Sequence, residues 1–185
     1  LQNIPEEILL DINISFDMAL VDSLTKNDLV KLVDKYGWDI KNLSLTDNSF
    51  ALVNRYCQVF IHRNSFASVL QSSDIFLCMA GTAAEQAIGL AKPVIQLPGD
   101  GPQFTNHFAE AQRRLLGPTI LCAQRKNFKK LNIYVDTANL ILEIRGRYFA
   151  DSNFRDLCKK EAKLRLGNEG GTKRIAKSIG YLISK

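Results

Sequence analysis

The sequence predicts an α/β fold: a Rossmann-like three-layer α/β/α sandwich with a mostly parallel sheet and C-terminal helices. Three observations predict it. Short apolar runs alternate with amphipathic stretches, the rhythm of βαβ units. Turn residues such as Gly37, Gly81 and Pro93 stand where one pattern gives way to the other. From Asp136 to the end the pattern is helical, with breaks near Gly146–Ser152 and Gly167–Gly171.

The elements follow in order. The first ten residues read as the end of a helix with a turn at Pro5. Asp11 to Val21 alternates about Ile12, Ile14, Phe16, Met18 and Leu20, the period of a strand. Thr25 then caps a helix running to Tyr36, with Leu29, Val30, Leu32, Val33 and Tyr36 as its apolar stripe and Gly37 as its stop. Residues 38–50 are polar and loop-like. ALVNRYCQVFIH at 51–62 reads as one strand or a hairpin, Ser65–Ser72 as a short helix and Asp74–Ala80 as a strand. A helix at 82–91, a strand at 93–97, a helix from about Gln103 to Leu115 and a strand at 119–124 complete the alternation.

The chain has 185 residues, which suits one domain or one domain with a helical appendage. Residues 1–135 are expected to form the Rossmann-like domain and residues 136–185 a helical segment packed on it. A hydrophobic content of 46% supplies a core, and no run approaches the ~20 apolar residues of a membrane span. The chain opens at Leu1 rather than Met, as expected of a piece of a longer polypeptide or of a processed one. Cys57, Cys78, Cys122 and Cys158 form no CxxC pair, and the first three sit in apolar, strand-like runs. They are expected to be free thiols in a reducing, cytoplasmic setting. His62 and His107 lie far from any cysteine pair, so no metal is expected.

Charge is unevenly spread. Residues 1–112 carry 7 Lys/Arg and 13 Asp/Glu, net −6, whereas residues 113–185 carry 17 and 6, net +11. The basic half either is a solvated helical face or meets an anionic partner such as a membrane surface or a phosphorylated ligand. Nucleic acid is not expected, because the basic residues are not interleaved with stacking aromatics and no helix-turn-helix or zinc pattern occurs.

Chemistry concentrates in Ser73–Ala109, SDIFLCMAGTAAEQAIGLAKPVIQLPGDGPQFTNHFA. Strand, glycine turn, helix and strand set a helix N-terminus at the carboxyl edge of a parallel sheet, where anionic ligands bind. A helix starting at Thr82 has unpartnered N–H groups and a partial positive charge. Gly81 would let a phosphate approach that backbone closely. Thr82-Ala-Ala-Glu85 is also a capping box, which a helix that binds nothing would carry equally well. GDGPQFTN follows the next strand and should emerge at the same edge. Its Gln103, Thr105 and Asn106, with His107 behind them, supply the hydrogen-bonding groups that read sugar hydroxyls. An ordinary loop leading into an N-capped helix has the same composition.

The segment AGTAAEQAIGLAKPVIQLPGDGPQFTN resembles the donor-binding half of GT-B glycosyltransferases. It is most similar to lipid-A-disaccharide synthase and its related proteins, and more distantly to MurG-like N-acetylglucosaminyltransferases and UDP-GlcNAc 2-epimerases. The likeness is sharp over residues 73–109 and weaker from Asp11 to Ala123, and the ending GNEGGTKRIAKSI looks like the final helix of that group. The resemblance implies one half of a GT-B fold that binds a UDP-sugar. The donor diphosphate would sit on Gly81, Thr82 and Ala83. The family's ribose-binding carboxylate aligns with Gln86, with Glu85 beside it. Gln103, Thr105 and Asn106 would hold the donor sugar, and Pro102 replaces the Asp or His that often precedes that Gln. The parent enzyme would transfer a sugar to a lipid-linked acceptor, at the inner face of a membrane. A second Rossmann-like domain, preceding this one, would complete it, since this chain has room for only one. The strand and Gly-Ser-Arg turn that open the family's second domain are not found before Asp11. The same resemblance leaves open an epimerase-like domain and a catalytically inactive scaffold of the same fold.

Overall fold

Alternating apolar residues in the first third of the chain assemble a four-stranded sheet, and the glycine-punctuated stretch after it a three-stranded one. The structure is a computed structural model. It describes residues 1, 3–11, 14–43, 49–55, 57–79, 81–97, 105–123 and 130–183, with the backbone alone at Glu7, Leu10, Asp11, Asn106 and 130–132. Two compact units result: Leu1–Asp74 with Tyr134–Asn139, and Ile75–Ile133 with Leu140–Lys185.

The first unit contains α1 (Glu6–Asp11), β1 (Phe16–Leu20), α2 (Lys26–Val33), a 3₁₀ turn (Asp34–Tyr36), β2 (Asp39–Asn42), β3 (Phe50–Asn54), β4 (Cys57–Arg63) and α3 (Phe66–Ser72). The sheet order is β1-β4-β3-β2, with β1 parallel to β4 and the other pairs antiparallel. Thr25 caps α2 as its sequence predicts. Its Oγ1 accepts the Asp28 N–H at 3.1 Å, and its own N–H donates to the Asp28 carboxylate at 3.1 Å. Gly37 takes φ 69, the left-handed conformation that ends the helix without a Cβ penalty. The 51–62 run is a hairpin closed by Asn54 and Cys57, with Arg55 at φ 40 in the turn. Leu20, Leu29, Phe50, Leu52, Cys57, Val59 and Ile61 form the core beneath this sheet.

Three expectations are corrected here. Pro5 starts a helix instead of ending one: its carbonyl accepts the N–H groups of Ile8 and Leu9, and a proline needs no N–H partner in a first turn. Asp11 belongs to that helix, so β1 starts only at Phe16. Within the supposed loop 38–50 lies β2, with only Ile40 half-buried. It is an edge strand, and edges carry polar residues.

The second unit contains β5 (Phe76–Leu77), α4 (Gly81–Gly89), β6 (Val94–Gln96), α5 (Asn106–Leu116), β7 (Ile120–Cys122), most of α6 (Lys130–Ala150), α7 (Ser152–Leu166) and α8 (Gly171–Ile183). Residue 135, where the sequence divides the chain, thus falls inside α6. Its strands are parallel in the order β5-β6-β7. The chain is therefore α/β, and the βαβαβ order fits a Rossmann-like three-layer sandwich. The central strand β6 is wholly buried, as a strand covered on both faces must be. The helix α4 turns Ala84, Ala87 and Ile88 inward. Its last turn closes as a Schellman motif: Lys92 N–H reaches the Ala87 carbonyl, Ala91 N–H reaches that of Ile88, and Ala91 sits at φ 58. At the end of α5, Gly117 has φ 96, and a Cβ there would overlap the Glu161 carboxylate. Asp151 caps α7 by accepting the Asn153 N–H at 2.9 Å, so the first helical break falls there and Gly146 stays inside α6. Among the described residues no helix is long and apolar enough to cross a membrane.

Candidate functional site

The carboxyl ends of β5 and β6 lie side by side. Phe76 pairs with Val94 and Leu77 with Ile95, and the Cys78 N–H continues the ladder to the Ile95 carbonyl at 3.1 Å. The Leu97 N–H then donates to Met79 Sδ at 3.0 Å. Just past this edge α4 starts with Gly81 as its first residue. Its first N–H groups have no intrahelical partners, and the helix dipole adds positive potential at the same point.

Two glutamines underlie this helix start. Gln96 ends β6 and is fully buried, and its Nε2 donates to Gln112 Oε1 at 3.1 Å. Gln112 projects from α5 and is only 8% exposed. Its Nε2 stands 3.1 Å from the point a Cβ on Gly81 would occupy. A side chain at 81 would press on that amide; the glycine leaves the gap open. Gln96 Oε1 has no partner among the described residues. An unsatisfied buried acceptor costs about 1–3 kcal/mol, so something must recover that cost. A side-chain amide donor beside free helix N–H groups suits an anion.

The structure distributes the expected residues as follows. Gly81, Thr82 and Ala83 form the first turn of α4, with Thr82 exposed and Ala83 half-buried. Because the helix already includes Gly81, Thr82 is not its N-cap, and the expected capping box with Glu85 is displaced from the helix start. Glu85 lies one turn below Gly81 and is half-buried, whereas Gln86 lies one turn below Thr82 and is exposed. Thr105 Oγ1 caps α5 by accepting the Phe108 N–H at 3.1 Å, which leaves its hydroxyl proton to donate. Asn106 is the first residue of α5, placed by its backbone, and His107 is exposed. Gln103 and Pro102 lie outside the described residues. Sequence reasoning missed Gln96 and Gln112. The signal for Gln96 was present: one amide inside the apolar run PVIQLP must find a partner if buried.

Among the described residues, other reactive groups do not assemble into a second centre. The four cysteines are unbridged. Burial pushes the Cys122 and Cys158 thiols up to about 11 and raises Cys57 as well, which keeps them protonated and poor nucleophiles. His62 Nε2 and Asp17 Oδ1 stand 2.7 Å apart, but the Ser15 hydroxyl donates to the other Asp17 oxygen at 3.0 Å rather than to the imidazole. An open cavity of about 470 Å³ in the first unit is lined largely by Ile4, Pro5, Leu9, Asn54 and Cys57. Among the described residues no group of three or more His, Cys, Asp or Glu could hold a metal.

No protein-family model, curated protein or solved structure matches this chain.

Proposed function

We propose that this chain is the nucleotide-sugar-binding domain of a GT-B glycosyltransferase. The carrying observation is the start of α4: Gly81 opens a helix at the carboxyl edge of a parallel sheet, with the Gln112 amide against the glycine. The diphosphate of a UDP-sugar would lie on the N–H groups of Gly81, Thr82 and Ala83, with Gln112 Nε2 as a side-chain donor. Glu85 or Gln86 would take the ribose hydroxyls, and Gln103, Thr105 and Asn106 the sugar. The same N–H groups would stabilise the charge that develops on the departing diphosphate, so catalysis would be mainly positioning and electrostatic stabilisation. A second Rossmann-like domain would supply the acceptor site and the base, and the parent would act in the cytoplasm on a lipid-linked acceptor.

Calorimetric titration with UDP and UDP-GlcNAc tests this directly. Saturable heat is expected, abolished by Gly81→Val, whose branched side chain would fill the phosphate seat. No heat at millimolar ligand from a folded wild-type chain would sink the proposal. A scaffold of the same fold is the second reading, favoured by the exposed amide of Gln86 where the family's carboxylate aligns. It predicts that wild-type chain and Gly81→Val are equally silent.

A further inference from the structure

The helix α8 is exposed along its whole length from Thr172 to Ile183. On a helical projection Ile175, Ile179, Leu182 and Ile183 fall within an arc of about 100°. These side chains are 62%, 51%, 71% and 80% exposed, so the apolar stripe faces water. Lys173, Arg174 and Lys177 fall on the opposite arc, and the helix has no acidic residue. A thirteen-residue helix with a glycine inside it is marginal in water unless its apolar face is buried.

We propose that α8 is an interfacial helix that docks this chain on an anionic membrane surface. Charge decides the occupant. A groove on a protein needs only the apolar stripe, and its partner helix can carry any polar face. A plane of anionic headgroups extends beyond the stripe and also attracts the charges of Lys173, Lys177 and Arg174, the last held at the start of α8 by donating to the Asn168 and Glu169 carbonyls at 2.8 and 2.6 Å. Lys160 and Lys163 of α7, both exposed, add to the same sign of charge nearby in sequence, whereas Lys159 and Arg165 are paired with Asp156 and Glu161. The proposal rests on α8 alone and is independent of any nucleotide-sugar site.

Vesicle co-sedimentation of the 185-residue chain tests it. Binding is expected to vesicles of equal parts phosphatidylcholine and phosphatidylglycerol, and not to phosphatidylcholine alone. Ile179→Asp should abolish it. Replacing Lys173, Arg174 and Lys177 together by Gln should weaken it roughly a hundredfold, at about 1 kcal/mol per lost cation. Because these side chains are exposed, unchanged circular dichroism and Trp38 fluorescence should show both variants folded. No binding of the wild-type chain to the anionic vesicles overturns the proposal, as does binding that survives both variants. Sedimentation velocity supplies the third arm: a dimer that Ile179→Asp converts to monomer means that a second copy covers the stripe, and this too overturns it.

Discussion

The two compact units treat polar atoms differently. The first closes a core of seven apolar residues around Phe50, and among the described residues its one buried polar side chain is that of Thr137, a residue that is not without a partner. The second buries Gln96, Gln112, Thr119 and Glu161, and leaves Gln96 Oε1 and Thr119 Oγ1 without partners among the described residues. Of these two, Gln96 lies at the carboxyl end of β6 beside the start of α4, whereas Thr119 lies at the opposite edge of the sheet, its carbonyl accepting the Val94 N–H. Native chains concentrate such local inconsistencies at functional sites, which singles out Gln96.

Breaking the first unit should have the largest effect. Phe50 is 3% exposed, and Lys26 Nζ lies 5.2 Å from its ring centroid. Phe50→Ala should cost about 3–5 kcal/mol through lost burial and the cavity left behind. Trp38, the chain's one tryptophan, packs against this core. Its fluorescence in a urea titration should therefore report the loss. An unchanged midpoint would show that this core does not hold the unit together.

The glutamine pair tests the second unit. Gln112→Leu removes the acceptor of Gln96 Nε2 and should destabilise by about 1–3 kcal/mol. Replacing both Gln96 and Gln112 by Leu removes the orphan oxygen along with its partner, and should restore or exceed wild-type stability while UDP affinity falls. Helical circular dichroism in urea, beside calorimetry, separates these outcomes. If the double variant is as unstable as the single one, the pair is structural and its link to a ligand fails.

Much of the fold was legible because it is written locally. Thr25, Asp28 and Gly37 bracket one helix within a dozen residues, and the apolar runs of β5, β6 and β7 are bounded by glycine or proline. What escaped depends on neighbours distant in sequence. Asp39–Asn42 reads as a loop because an edge strand need bury only Ile40. Pro5 is ambiguous because proline suits both the start of a helix and the turn that follows one. Of the candidate site, Gly81 and the first turn of α4 were visible in the sequence. Gln112 was not, since nothing in AEAQRRLL distinguishes an amide that tertiary packing carries to Gly81.

Thr119→Val should sharpen the contrast by a smaller step. Its hydroxyl is buried beside β7 with no partner among the described residues. Valine is nearly its shape and needs no hydrogen bond, so the change should stabilise the second unit by about 1 kcal/mol. A lower melting temperature would mean that the hydroxyl is bonded after all, and would weaken the view that this unit tolerates unsatisfied groups.

The smallest effect is expected at the far end of α4. There Ala91 occupies the left-handed position that closes the helix, at φ 58, while Lys92 N–H reaches back to the Ala87 carbonyl at 3.0 Å. A Cβ in that conformation is strained by about 1 kcal/mol, whereas glycine adopts it freely. Part of the gain is offset, because glycine also has more conformational freedom to lose on folding. Ala91→Gly should therefore stabilise the second unit by about 0.5 kcal/mol, read as a small rise in the helical melting temperature. Pro93 already forbids the helix to continue, so the substitution changes strain without changing length. UDP affinity should stay at the wild-type value, since Ala91 is nearly three turns from Gly81. Stabilisation with unchanged affinity would localise the functional compromise to the first turn of the helix, whereas a loss of affinity would mean that strain at its C-terminus helps to set the N-terminal site.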